Sequence, residues 1–282
     1  MTESTHQTEG TRLIPGQVQS PTIADLPLGF TYGVTRYADV ILREAFPARF
    51  IDIREALEGF QPTLDELRAA GGGRTVFVGR FDDSLRNKLD GDRQVWGKQK
   101  IAIERRIELS GGSKWAGSER SHEIDMFGFG SSSTPLPGVA VEMEWNNKDP
   151  FFDRDLNLFE ALHRETAIAV GVIVTRGPRL QNLVGGVVRS KDGGFKYGQS
   201  STHWDKLVPK VNLGGGGECP LLLIGIEPER IKGIDLAQRV RKKLDQADDF
   251  KANWRETHKR WQDAKPEYDR LRREALALMP PV

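Results

Sequence analysis

Val139-Ala-Val-Glu-Met-Glu-Trp145, running without a break into Asn146-Asn-Lys-Asp-Pro150, is the stretch that decides the fold. Read as a strand, it alternates between two faces: Val139, Val141, Met143 and Trp145 on one, Ala140, Glu142 and Glu144 on the other. The two carboxylates then stand side by side with their Cα atoms roughly 6.5 Å apart. A half-exposed sheet with two solvated glutamates accounts for that pattern in isolation. The neighbouring stretch opens a second reading. His122-Glu-Ile-Asp-Met-Phe-Gly-Phe129 also alternates, and the turn-rich 130–138 connects the two. Asp125 then lies on a partner strand, able to share a face with Glu142. Three acids converging on an apolar sheet repel one another unless a cation or a proton sits among them, which is a metal-site pattern.

Composition narrows the classes. A 282-residue chain with 38% hydrophobic and 29% charged residues is one large globular domain, or one domain with an appendage. No apolar run approaches the roughly 20 residues that cross a membrane. The start, Met1-Thr-Glu-Ser-Thr-His6, has no basic and apolar export signal. The single cysteine, Cys219, excludes an internal disulfide and a thiolate-cluster zinc site. Five histidines without a His-x-x-x-His pair argue against a zinc hydrolase. A net charge of +1 is neutral on nucleic acid, for which a local basic patch matters more.

Taken in order, residues 1–24 are polar and aperiodic and are expected to form a disordered tail. Helices are expected at 37–46, 50–57 and 63–70, and a short strand at 74–79. The charged stretch 84–107 is expected to be a long helix or helix pair, ending in a cluster of Lys98, Lys100, Arg105 and Arg106. That cluster is either a solvated face or a phosphate contact. Glu104 or Glu108 could add an acid to the site. Residues 154–166 read as an amphipathic helix, and 168–174 and 221–226 as strands buried on both faces. Strand, crossover helix, strand gives a βαβ unit with a parallel pair. The Gly- and Ser-rich segment 176–220 is long enough that it must be disordered or bind something. Gly214-Gly-Gly-Gly217 lacks the Lys and helix of a phosphate loop and reads as a flexible approach to the last strand. Residues 234–278 are helical with a break near Pro266, and Trp254, Trp261, Tyr268 and Leu271 recur at packing spacing.

Several of these motifs together resemble the BglII/BstYI type of type II restriction endonucleases. They are 142–156 (Glu-Met-Glu-Trp-Asn-Asn-Lys-Asp-Pro-Phe-Phe-Asp-Arg-Asp-Leu), 169–176, Thr202-His-Trp-Asp-Lys-Leu207 and the Gly-rich turn before the last strand. The resemblance implies an α/β fold of the PD-(D/E)xK nuclease class, a central mixed sheet flanked by helices, here with extra C-terminal helices. It assigns residues 25–232 to the catalytic and DNA-binding domain and leaves 233–282 as a helical extension. The general motif ends in lysine, whereas this chain has Glu144, as the BamHI-like branch does; Ile124 also replaces the usual proline.

The resemblance further implies hydrolysis of double-stranded DNA at a short palindromic site with Mg2+. Asp125 and Glu142 would hold the ion together with the Met143 carbonyl, and Glu144 would take a second ion or a proton. DNA contacts would come from Asn146, Asn147, Lys148, Ser201, Thr202, His203, Lys206, Lys98 and Lys100. A homodimer is implied, with its interface on 84–107 or the C-terminal helices, in a bacterial cytoplasm beside a cognate DNA methyltransferase. A structure-selective or repair nuclease, and a DNA-binding protein that no longer cleaves, are the competing readings.

Overall fold

The computed structural model describes residues 16–69, 75–118, 122–131, 134–189 and 194–280. The chain opens with β1 (Phe30–Val34), then α1 (Ala38–Ala45), α2 (Pro47–Gly59), α3 (Leu64–Arg68) and α4 (Val76–Arg86). Short strands follow: β2 (Leu89–Asp90), β3 (Arg93–Gln94), β4 (Trp96–Ile101), β5 (Glu104–Glu108) and β6 (Lys114–Ser118). The central part is β7 (His122–Gly128), β8 (Gly138–Met143), α5 (Pro150–Arg164) and β9 (Ile168–Arg176). It continues through α6 (Pro178–Val184), α7 (Trp204–Asn212) and β10 (Leu221–Ile226) to α8 (Asp235–Asn253) and α9 (Trp261–Ala277). No helix among the described residues is long and apolar enough to cross a membrane.

Six strands form one mixed sheet in the order β1-β10-β9-β8-β7-β4. β8, β9 and β10 run parallel, with Val141 beside Val172 and Leu222 beside that same Val172. β1, β7 and β4 are antiparallel to their neighbours. The expected α/β architecture is thus present, built on the β8-α5-β9 unit. Alternation along β8 sorts its residues into two cores. Val139, Val141, Met143 and Trp145 join the side covered by α1–α4, α6 and α8, while Ala140 joins the side covered by α5 and α7.

Gly171 in β9 shows how closely α5 sits on the sheet. A Cβ there would lie 2.4 Å from Cδ2 of Phe159, which is fully buried. Gly171→Ala is therefore expected to cost about 1–3 kcal/mol through overpacking, read as a lower denaturant midpoint. An unchanged midpoint would mean that α5 lifts freely from the sheet.

The structure corrects several expectations. Residues 84–107 are not a long helix: α4 ends at Arg86, and four short strands follow. Gly91-Asp92 makes a two-residue hairpin turn between β2 and β3, with Gly91 at φ 61°, which breaks any helix there. Of the strand expected at 74–79, residue 74 lies outside the described residues and 76–79 are the start of α4, whose Phe77, Val78, Phe81, Asp82 and Leu85 are buried at helical spacing. Residues 1–15 and the glycines 71–73 lie outside the described residues. From residue 16 the tail is ordered: Gln19 pairs with Val34 through two backbone hydrogen bonds, and Ile23 is buried.

The segment 176–220 is not a loop throughout, since it contains α6 and α7. In the C-terminal part the helix breaks at 254–260, whereas Pro266 sits inside α9. Trp254, Trp261 and Tyr268 do stack in succession there, with ring centres 5.9 and 5.6 Å apart. The end of α9 returns to the body: Ala275 and Met279 enter the core, and Arg68 Nη2 donates to the Pro280 carbonyl at 2.6 Å.

Candidate active site

The sheet splits where the acids lie. Pairing between β7 and β8 runs from Gly128–Val139 to Met126–Val141. One residue further on, the Asp125 backbone N–H donates to Glu142 Oε1 at 3.1 Å instead of continuing the ladder. Glu142 and Glu144 are both 3% exposed, so the reading of two solvated sheet glutamates fails. Asp125 is exposed to a cleft of about 460 Å³, whose lining includes Lys98, Met143, Glu144, Asn147 and Arg154.

A fourth acid stands with these three. Asp155, in the first turns of α5, is fully buried with Phe152, Leu156, Phe159 and Leu162, the helix face that packs on the sheet. Its Oδ1 accepts from Arg154 Nε at 2.8 Å and from Nη2 at 2.7 Å. Its Oδ2 is buried with no hydrogen-bond partner. Sequence reasoning missed Asp155. The signal was its place at i+3 from Phe152 and i−4 from Phe159, a charge on an otherwise apolar stripe. Glu104 and Glu108, the alternatives considered, lie exposed on β5, and Glu108 pairs with Lys114 at 3.0 Å.

Burial governs the electrostatics. Loss of solvent, followed by the charges of Asp155 and Asp125, raises Glu142 well above the usual glutamate range. Burial and then the Asp155 charge push Glu144 up to about 8. Burial also raises Asp155, against the opposing pull of Arg154. Burial thus favours the protonated over the anionic form of both glutamates, the alternative to a cation among converging acids. Glu144 is further held by Asn147 Nδ2 at 2.5 Å and Arg154 Nη2 at 3.1 Å.

Among the described residues, no group of three or more Asp, Glu, His or Cys side chains is placed so that it could hold a metal ion as it stands. The donor set nonetheless fits a hard cation. It is all oxygen, burial disfavours its anions unless a cation offsets their charge, and the buried Oδ2 of Asp155 lacks a hydrogen-bond partner.

The DNA-contact candidates divide. Asn146, Asn147 and Lys148 are exposed in the turn after β8. That turn is bound to the 198–203 segment: Thr202 N–H donates to the Asn147 carbonyl at 2.8 Å, and Lys148 bridges to Ser201. Thr202 and His203 are 0% and 1% exposed, so they stand behind the surface and a base edge cannot reach them directly. Ser201 is half-buried; its Oγ donates to the Gly198 carbonyl at 2.6 Å and accepts from Arg176 Nη2 at 2.7 Å. Lys206 is half-buried on α7. Lys98 and Lys100 belong to β4 rather than to a helix end, and Lys98 pairs with Glu123 at 2.6 Å.

Arg176, at the end of β9, was also missed. It is fully buried, with Nε on Gln181 Oε1 at 2.8 Å, Nη1 on the Trp145 carbonyl, and its guanidinium 4.7 Å from the Tyr197 ring centre. Burial lowers its pKa to about 10, which leaves it charged at neutral pH. A charge at the end of an apolar strand was the available clue.

Acids at the split end of the antiparallel β7–β8 pair, in a cleft with basic side chains, suit phosphodiester chemistry. A family model described as restriction endonuclease BglII/BglIII matches residues 30–226, more than two thirds of the chain. The chain belongs to that family. As a BglII-type restriction endonuclease it is a DNA-cleaving hydrolase with the restriction-endonuclease fold. The match begins at the first strand of the sheet and ends with the last, so the endonuclease family covers the whole sheet and stops before α8 and α9. No curated protein matches the chain significantly.

Proposed function

We propose that this chain is a magnesium-dependent type II restriction endonuclease. It acts as a homodimer, cutting both strands of a short palindromic DNA site, in a bacterial cytoplasm beside a cognate methyltransferase. The observation that carries the reading is the convergence of Asp125, Glu142, Glu144 and Asp155 beside one open cleft. Asp125, Glu142 and the Met143 carbonyl would hold the ion, which when bound neutralises phosphate charge and lowers the pKa of water. Glu144, poised near neutrality and steadied by Asn147 and Arg154, would accept a proton or hold a second ion. Hydrolysis joins water oxygen to phosphorus and breaks one phosphorus–oxygen ester bond, leaving a phosphomonoester and a hydroxyl.

The test is digestion of unmethylated phage DNA with magnesium and, separately, with a chelator. Discrete fragments in magnesium alone support the proposal. A smear points to a non-specific nuclease, and uncut but shifted DNA to a binding protein.

Asn147 is proposed as a base reader, with Asn146, Lys148 and Ser201 as neighbours; Thr202 and His203 act behind them as supports. Asn147→Ala should cost roughly 1–3 kcal/mol of discrimination at one base pair. It should also slow cleavage, because Glu144 loses a donor. Lys98→Ala should weaken binding to every sequence and reduce the salt slope by about one. Lys100 and Lys206 are proposed to act in the same way. Equal, sequence-independent losses from Asn147→Ala and Lys98→Ala would remove the readout role.

Dimerisation follows from matching a two-fold protein to a two-fold site. With 84–107 no longer a helix, α8 and α9 are the remaining candidates for the interface. Sedimentation should give a dimer on the mapped site; a monomer both free and on DNA would contradict it.

A further inference from the structure

Attack on a phosphodiester gathers negative charge on the non-bridging oxygens, and pre-set donors that meet that charge are a major source of rate. At position 144, two residues after Glu142, this chain has an acid, so a protein cation for the phosphate must come from elsewhere in the fold. Three basic side chains line the cleft: Lys98, Arg154 and Lys196. Lys196 is committed to the backbone carbonyls of Leu67, at 2.8 Å, and Ala69. Lys98 is paired with Glu123 on the neighbouring strand.

Arg154 differs from both. Its Nε and Nη2 are fixed on Asp155, Nη2 also reaches Glu144, and its guanidinium stacks 4.7 Å from the Phe151 ring centre. Those contacts set the plane and position of the group. Among the described residues Nη1 has no hydrogen-bond partner, and the side chain is 57% exposed. A planar cation held along one edge, with two N–H donors of the other nitrogen open, is suited to phosphate oxygens.

We propose that Arg154 binds the scissile phosphate through Nη1 and stabilises the charge that develops there during hydrolysis. The proposal rests on the endonuclease reading above. As water oxygen bonds to phosphorus and gives up a proton to a base, the phosphorus–oxygen ester bond breaks and the leaving oxygen takes a proton from solvent water to become the hydroxyl. Arg154 keeps its own proton throughout and acts only by charge and hydrogen bonding.

The experiment uses a duplex carrying the site mapped from the parent's digest of phage DNA. It is prepared unmodified and with a single phosphorothioate of each configuration at the cut. Single-turnover cleavage in magnesium and affinity in a chelator are measured for the parent and Arg154→Ala. The variant should cut about 10²–10³-fold more slowly than the parent. Its affinity in chelator should fall by less than about tenfold. The phosphorothioate that most slows the parent should slow the variant less, because the contact it disturbs is already gone.

Cleavage within about threefold of the parent would overturn the proposal. A slowed variant that keeps the parent's full response to both phosphorothioates would also overturn it, leaving Arg154 a purely structural partner of Asp155. If Arg154→Ala does not fold, Arg154→Gln, which keeps an amide donor for Asp155, is judged by the same criteria. A parent that cuts no DNA would instead sink the endonuclease reading itself.

Discussion

Glu142→Gln is expected to abolish cleavage while leaving the fold and DNA affinity in place. Glu142 is buried, its Oε1 accepts the Asp125 backbone N–H, and its carboxyl stands among three other acids. Glutamine keeps an acceptor for Asp125 and the volume of the side chain, but it cannot become the anion that holds a cation. Cleavage in magnesium should fall on the order of 10³-fold or more, since the group that would activate water is no longer held. Affinity for the same duplex in chelator should match or exceed that of the parent, because no phosphate-repelling charge can form at that position. Glu142→Ala and Asp125→Ala should lose cleavage similarly. Glu142→Ala carries an added stability loss of about 1–3 kcal/mol, as the Asp125 N–H is left without its partner. Near-parental cutting by Glu142→Gln would reduce the acid cluster to a structural feature.

The second large effect is expected at Arg176, which ties together the segments proposed to read bases. Its guanidinium joins the Trp145 carbonyl, Gln181 and Ser201, so the turn after β8, α6 and the 198–203 segment share one buried cation. Arg176→Met retains the apolar stem against Tyr197 and leaves two buried acceptors and the half-buried Ser201 Oγ short of a donor. At about 1 kcal/mol or more for each, unfolding free energy should drop by about 3 kcal/mol. Discrimination between cognate and single-mismatch duplexes should collapse as well, because Asn147 and Ser201 lose their common support. Arg176→Lys should recover part of both losses, since one ammonium can reach only some of the acceptors. A variant with parental stability and parental discrimination would show that the two segments hold each other without it.

Much of the sheet was legible from local pattern. The alternation from Val139 to Trp145 separates two cores as read, and the apolar runs 168–174 and 221–226 are the adjacent parallel strands β9 and β10. These segments announce themselves because burial of one face, or of both, is recorded directly in the spacing of apolar residues. The stretch 84–107 is the counterexample. Its strands lie at the sheet edge or in small exposed hairpins, where little is buried, and charged residues on both faces imitate a solvated helix. The Gly91-Asp92 turn carried the information, and periodicity did not.

The candidate site divides along the same line. Asp125, Glu142 and Glu144 could be named from the sequence, because adjacent strands bring them together by register alone. Asp155, Arg154 and Arg176 could not, since their roles depend on how α5 and the end of β9 pack against that strand. Burial of Thr202 and His203 likewise follows from the 198–203 segment closing on the turn at Asn147. The sequence by itself determined which faces turn inward and which acids share an edge. Only the tertiary structure decided which charges lose their water and which partners replace it, because desolvation is set by neighbours brought from distant parts of the chain.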